Sequence, residues 1–188
     1  MRNIISGFLA VIAGSYLIII LLGLSEPPYP EPFKIIWFLL AGSSALQSTL
    51  MFILEPSILS YIISWIVMGL IIGPFSKVGW NTVRSALWVG LITAVLALAS
   101  LLLLDPSFWN ITVNPARNIE LFYQFTTSMI VALFTMPSAL LTALVVNRLS
   151  QQTESPIPSK IETICDCGAV YKSKPMICSE CGRQLIEN

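Results

Sequence analysis

Between Ile4 and Leu149 the chain carries five apolar stretches, each close to the roughly 20 residues a helix needs to cross a hydrocarbon core of about 30 Å. They run from about Ile4 to Leu24, Phe33 to Leu54, Pro56 to Ile72, Val83 to Leu104 and Ile119 to Leu149. In lipid every backbone N–H and C=O must be paired, so stretches of this kind have little choice but to become helices. Composition agrees: 55% hydrophobic and 11% charged residues, with a mean hydropathy of +0.80, lie outside the range of a soluble domain. The expected fold class is an all-α polytopic membrane protein with five transmembrane helices over residues 1–149, or four if the third segment is re-entrant.

The breaks between the stretches are written in prolines and polar residues. "SEPPYPEP", Ser25 to Pro32, cannot continue a helix. Glu55, Pro56 and Ser57 form a short turn, which implies adjacent antiparallel helices on either side. "GPFSKVGWNT", Gly73 to Thr82, reads as a polar connection, and Asp105 with Pro106 stops the fourth stretch. The fifth is longer than a bilayer requires and contains Pro137, so it should tilt, kink or extend. The first stretch follows "MRN" as a signal peptide would, but its apolar run exceeds the usual core of roughly 7–15 residues and "GLSEPP" is a poor cleavage site. It is expected to be retained as a span.

Lys and Arg near span ends favour the cytoplasmic side. Placing the loop from Gly73 to Thr82 and the C-terminal tail inside puts Lys77, Arg84, Arg148 and Lys160 there, leaving Arg117 alone in the loop before the fifth span. The expected location is the cell membrane with a cytoplasmic tail. Five alternating spans then put the N-terminus outside, with Arg2 on the unfavoured side, whereas four would bring it in. Asn110, in the sequon "NIT", falls in a loop that both counts place outside and is a candidate glycosylation site. Trp37, Trp80, Trp109 and Tyr123 lie near span ends, as interfacial anchors do. Small residues recur every four positions at Ser6, Ala10 and Gly14, at Ala86, Gly90 and Ala94, and at Gly69 and Gly73, where helix backbones are expected to approach closely within the chain.

Ionisable groups, the usual mark of a pump or coupled transporter, are missing from the middle of every span. With no histidine in the chain, and no pair of embedded aspartates, no familiar intramembrane protease can be assembled, and the expectation is a protein that is not an enzyme. What remains is a set of hydroxyls and amides on the second and fifth spans. Gln47 and Gln124 lead it as a candidate polar path for a neutral solute, with interhelical hydrogen bonding as the competing explanation.

After the last span, residues 150–163, "SQQTESPIPSKIET", read as a flexible linker. Residues 164–188 then hold all four cysteines: Cys165-x-Cys167-Gly168, ten residues, and Cys178-x-x-Cys181-Gly182. Two thiolates one or two residues apart can face one ion from a tight turn, with glycine supplying the backbone such turns require. Two such knuckles complete an S₄ site, whose softness and tetrahedral geometry favour a single structural Zn²⁺. The stretch Ala169 to Ile177 alternates as a short hairpin turned at Ser173 to Pro175, with Val170 or Tyr171 and Met176 or Ile177 covering the site.

At these residues the tail resembles the zinc-ribbon family, whose pattern is CxxCG, a hairpin, CxxCG and a nearby apolar residue, here Leu185. "CSECG" matches fully, and "CDCG" is one residue shorter than the common form. The resemblance covers about one-eighth of the chain and implies a structural module that binds proteins or nucleic acids. Nucleic acid is disfavoured, because four thiolates around one Zn²⁺ add negative charge to a tail whose other charges cancel. Disulfides and dithiol redox chemistry are the competing readings of the cysteines. The function expected is a membrane-anchored adaptor, regulator or complex subunit, in contact with the lipid bilayer, whose cytosolic ribbon engages a protein partner or neighbouring subunit. The alternative is a small transporter or channel component with the ribbon as regulatory tail.

Overall fold

The computed structural model describes residues 2–76, 79–110, 114–153, 163–171 and 176–185, with the side chains of Arg2, Trp109, Thr163 and residues 151–153 left aside. The chain forms two compact units, Met1–Leu149 and Ser150–Asn188. Five helical segments of the first are long and apolar enough to cross a bilayer: Asn3–Leu22, Phe33–Phe52, Ile58–Phe75, Trp80–Leu104 and Arg117–Ser150. The first is helix α1 (Arg2–Leu22). The second is α2 (Trp37–Gln47) between 3-10 turns at Phe33–Ile36 and Ser48–Phe52. The third, α3 (Ile58–Ile72), is prolonged by a 3-10 turn at Gly73–Phe75 into an uninterrupted run of 18 residues. The fourth is α4 (Trp80–Leu104). It starts three residues earlier than expected, because Gly79 at φ +95° turns the chain directly into the helix.

The fifth segment consists of α5 (Arg117–Ala132) and α6 (Met136–Thr153), separated by a 3-10 turn at Leu133–Thr135. Pro137 explains the break, since it has no N–H to give the carbonyl four residues back. Hydroxyls take up backbone carbonyls around it: Thr135 donates to Ala132 O at 2.7 Å, Ser138 to Thr135 O at 3.1 Å and Thr142 to Ser138 O at 2.9 Å.

The bundle is apolar outside and hydroxylic inside. Ile5, Tyr16, Ile20, Leu59, Leu141 and Val145 are all more than half exposed, while Ser6, Ser15, Ser43, Ser64, Thr82, Ser85 and Ser128 have no exposed surface. A water-soluble domain does the reverse, because exposed apolar surface on this scale has to be covered. Small buried residues let the helices close up. A Cβ on Gly42 would overlap the backbone of Ser15, one on Gly14 would strike Met68, and one on Gly90 would press on Met129 and Ala132. On Gly69 it would overlap Ser138 and the Thr135 carbonyl, and on Gly73 it would overlap Thr142. All of these glycines face other helices of the same chain.

The contacts also fix which way each helix runs. Phe52 stacks on Tyr61 with ring centroids 5.5 Å apart and Trp65 Nε1 donates to Thr49 at 2.9 Å, so α2 and α3 are antiparallel. Gly69 meets Thr135 and Ser138 while Gly73 meets Ala139 and Thr142, so α3 and α6 are parallel. Asn3 and Ile4 share a cleft with Arg84, Leu87 and Leu91, and Gly7 rests on Trp88 and Ile92, so α1 and α4 are parallel as well. Leu22 and Leu24 share a second cleft with Ser48, Phe52, Glu55 and Ser57. The C-terminal end of α1 therefore lies beside the turn between α2 and α3, and α1 and α2 run in the same direction.

That arrangement overturns the simple alternation assumed from the sequence. Residues Gly23 to Pro32 do not turn over at one end; they return along most of the length of α1, about 30 Å for its 21 residues. Ten residues can cover at most about 33–36 Å when extended, so the strap has little slack. Tyr29, 2% exposed, anchors it by a 2.6 Å hydrogen bond between its hydroxyl and that of Ser100. Four prolines suit this path, since Pro27, Pro28, Pro30 and Pro32 carry no N–H to leave unpaired. The N–H groups of Tyr29 and Phe33 are bound to Pro27 O and Pro30 O.

The start of α1, Lys34, Arg84, and Arg148 on α6 consequently gather toward one end of the bundle, and Glu55, Asp105 and Glu120 toward the other. Lys34 pairs with Glu31 at 3.0 Å. Asn110 is exposed at the acidic end, whereas Thr112 of its sequon lies outside the described residues, as do Lys77 and Lys160.

Candidate metal centre

In the second unit the two knuckles close by different turns. In the first, the Gly168 N–H donates to Cys165 O at 2.8 Å, a four-residue turn; in the second, the Gly182 N–H donates to Cys178 O at 2.9 Å, a turn one residue longer. Both glycines have positive φ, +89° and +72°, where a side chain would be strained. The missing residue of "CDCG" is thus absorbed by a tighter turn, and the cysteines still converge.

Strand pairing brackets each knuckle separately. β1 (Thr163–Ile164) pairs antiparallel with β2 (Val170–Tyr171), with Ile164 opposite Val170, and an isolated bridge joins Ile177 to Gln184. Among the described residues the pairing is therefore across the knuckles, not along the expected hairpin between them; the turn expected at residues 173–175 lies outside the described residues, as do residues 154–162 of the linker. The physical reason is local: each cysteine turn reverses the chain and brings its own flanks together.

The sulfurs of Cys165, Cys167, Cys178 and Cys181 lie within 4.8 Å of one another. Cys165 and Cys181 are 3.5 Å apart, and Cys167 and Cys178 3.6 Å, so each close pair takes one sulfur from each knuckle. These are not disulfides, and all four cysteines are free. A tetrahedral thiolate site with metal–sulfur bonds of about 2.3 Å has sulfurs about 3.8 Å apart, which this cluster fits. Cys165 and Cys178 are buried, Cys167 and Cys181 exposed.

The surroundings treat the sulfurs unequally. The Tyr171 hydroxyl accepts from the Ser179 N–H at 3.0 Å, lies 3.0 Å from Ser179 Oγ, and shares a 3.1 Å hydrogen bond with Cys178 Sγ. That hydrogen bond, opposed by burial and helped by the Cys181 and Glu180 N–H groups, brings Cys178 down to about 6. At Cys165 the Cys167 N–H works in the same downward direction, but burial and the neighbouring sulfurs prevail and push the thiol up to about 12. Without a cation the cluster accepts one thiolate readily and resists more; a divalent ion removes that resistance. Arg183 bonds Asp166 at 3.2 Å, an exposed link from one knuckle to the other.

Tyr171 thus does touch the site as expected, whereas Val170, Met176 and Ile177, which were expected as candidates to cover it, are 57%, 73% and 55% exposed. Ile164, the partner of Val170, is 68% exposed. In the helical unit, Gln47 Nε2 donates to the Gln124 backbone carbonyl at 2.8 Å and to Ser128 Oγ at 2.9 Å. Gln47 and Gln124 therefore meet, but through the Gln124 main chain. Ser128 belongs to the fifth-span hydroxyls for which interhelical bonding was the competing explanation, but no sequence pattern paired it with Gln47 or marked Ser100, because each lies more than 70 residues from the side chain it binds.

Four sulfurs at metal-binding distances, held by two glycine-closed turns, form a candidate metal centre whose ion the donor set narrows to a thiophilic one. No protein-family model matches the chain, and comparison with curated proteins and with solved structures finds no match.

Proposed function

We propose that this is a five-span integral membrane protein, not an enzyme, whose C-terminal module holds one structural Zn²⁺ and docks a protein partner or neighbouring subunit in the cytosol. The observation that carries the reading is the combination in one small unit of four gathered sulfurs with exposed Ile164, Val170, Met176 and Ile177. A module too small to build a core from its own apolar residues takes its folding energy from the metal, and apolar side chains left outside are available to a partner. Zinc follows from thiolate softness and tetrahedral preference.

The distribution of charge supports the orientation. With α1 and α2 parallel, the start of α1, Lys34, Arg84 and Arg148 share the end from which the tail leaves, and the favoured side for such residues is the cytosol. The start of α1 lies at that end too, so Arg2 no longer opposes the rule. Asn110 faces outward. Both donor bonds of Gln47 serve contacts between helices, which favours a packing role over a solute path.

Photocrosslinking from position 164 or 170 in intact membranes tests the proposal. The expected result is a discrete adduct that disappears on metal chelation and in Val170→Asp. No adduct, together with an unchanged phenotype after deleting residues 150–188, would refute it. Elemental analysis of the purified chain should give one zinc, with four thiols titrating only after denaturation in chelator.

A further inference from the structure

The cleft between α1, α4 and α5 has a volume of about 790 Å³ and opens at the basic end of the bundle. Its apolar walls are Ile4, Leu87, Leu91 and Met129, and its polar groups are Asn3 and Arg84. None of its lining residues is acidic. Arg84 is exposed and has no hydrogen bond or ion pair among the described residues. A guanidinium keeps its charge at every accessible pH. Set one turn inside the start of a helix whose outer face is apolar, it calls for an anion with an apolar continuation.

We propose that this cleft binds an anionic phospholipid, its phosphate on Arg84 and one acyl chain along Ile4, Leu87, Leu91 and Met129. The planar guanidinium offers a fork of donors that matches phosphate oxygens. The volume lies in the range of sites that enclose most of a drug-sized ligand, roughly 300–1,000 Å³, enough for a headgroup and part of a chain. Ile4 and Leu87, both 41% exposed, present the apolar rim that a chain entering from the bilayer would cross. Met129, unbranched and adaptable, suits a surface that must fit a flexible chain. The acidic residues Glu55, Asp105 and Glu120 lie toward the opposite end, and Glu31, on the strap, is taken up by Lys34 at 3.0 Å and does not line the cleft.

Native mass spectrometry of the full chain released from nanodiscs of mixed phosphatidylglycerol and phosphatidylcholine tests the proposal. Under activation that strips loosely held lipid, the wild type should keep one phosphatidylglycerol. Arg84→Gln should lower that occupancy about tenfold, the scale of losing a charged hydrogen bond. Arg148→Gln, which removes an exposed arginine outside the cleft, should leave it unchanged. Leu91→Trp should also lower it, by filling the apolar part while Arg84 stays intact, and gives an independent reading if the arginine variant folds poorly. Equal retention in wild type and Arg84→Gln would overturn the assignment, as would equal retention of phosphatidylcholine. Displacement of the lipid by millimolar inorganic phosphate would assign Arg84 to a soluble anion and overturn it too.

Discussion

Gly69 and Gly7 are both helical glycines in the bundle, and replacing each by alanine should change stability in opposite directions. At Gly7 the added Cβ would sit 3.4 Å from Trp88 and from Ile92, ordinary contact distances. Nothing need move, and the gain is that of alanine over glycine in a helix, about 0.5–1 kcal/mol. At Gly69 the same methyl would overlap Ser138 Oγ and the Thr135 carbonyl and lie 3.0 Å from Ala139 N. A rotamer change of Ser138 relieves only the first of these, because the other two are backbone, so α3 and α6 must part. Overpacking of this kind costs about 1–3 kcal/mol, which exceeds the helix gain. The two variants should therefore differ by about 2 kcal/mol, with Gly69→Ala the less stable. Reversible unfolding in mixed dodecylmaltoside and dodecyl sulfate micelles, followed by tryptophan fluorescence, measures both. Adding Gly73→Ala to Gly69→Ala should cost less than the sum, because helices already parted relieve the second clash. A Gly69→Ala protein as stable as Gly7→Ala would refute the close crossing of α3 and α6.

Tyr171→Phe removes the hydroxyl beside Cys178 Sγ while keeping the ring, and should weaken metal binding by about 10–100-fold, as loss of outer-shell partners generally does; competition with a chromophoric chelator reads this directly. Acid should release the metal, because protons compete with it for sulfur. Cys178, lowered to about 6, is already a thiolate between that pH and the ordinary thiol range, so in that window apparent affinity should fall less steeply with acidity in wild type than in Tyr171→Phe, and the two slopes should converge as pH falls below about 6. Gln47→Leu deletes two interhelical hydrogen bonds and should cost about 1–2 kcal/mol in the same micelle assay, at roughly 0.6 kcal/mol or somewhat more for each bond. Tyr29→Phe should cost about 1 kcal/mol and speed proteolysis between residues 23 and 32, because Ser100 then loses the group that pins the strap.

Much of the candidate centre was legible in the chain. Cysteine pairs followed by glycine at residues 168 and 182 specify turns through local backbone geometry, and the structure uses both glycines at positive φ. The strand pairing was less legible. Alternation in Ala169 to Ile177 pointed to a hairpin between the knuckles, whose turn lies outside the described residues; among the described residues Ile164 pairs with Val170 and Ile177 with Gln184, because each cysteine turn brings its own flanks together. Gln47 was visible as an unusual amide in an apolar stretch, but its bond to a main-chain carbonyl of another helix has no signature in sequence.

By itself, the sequence determined how many long apolar helices there are, roughly where each begins and ends, and which four side chains can share a metal. Those properties depend on segment length, on solvation of side chains and on turns of a few residues, all of which are local. Only the tertiary structure decided that α1 and α2 run the same way, that "SEPPYPEP" is a strap along the bundle and not a cap at its end, and that Gly69 and Gly73 face α6. Small residues and hydroxyls mark the faces that turn inward, but they do not say which helix each face meets or which way that helix runs. That choice is made by where a glycine lets two backbones approach and where a buried hydroxyl finds its partner.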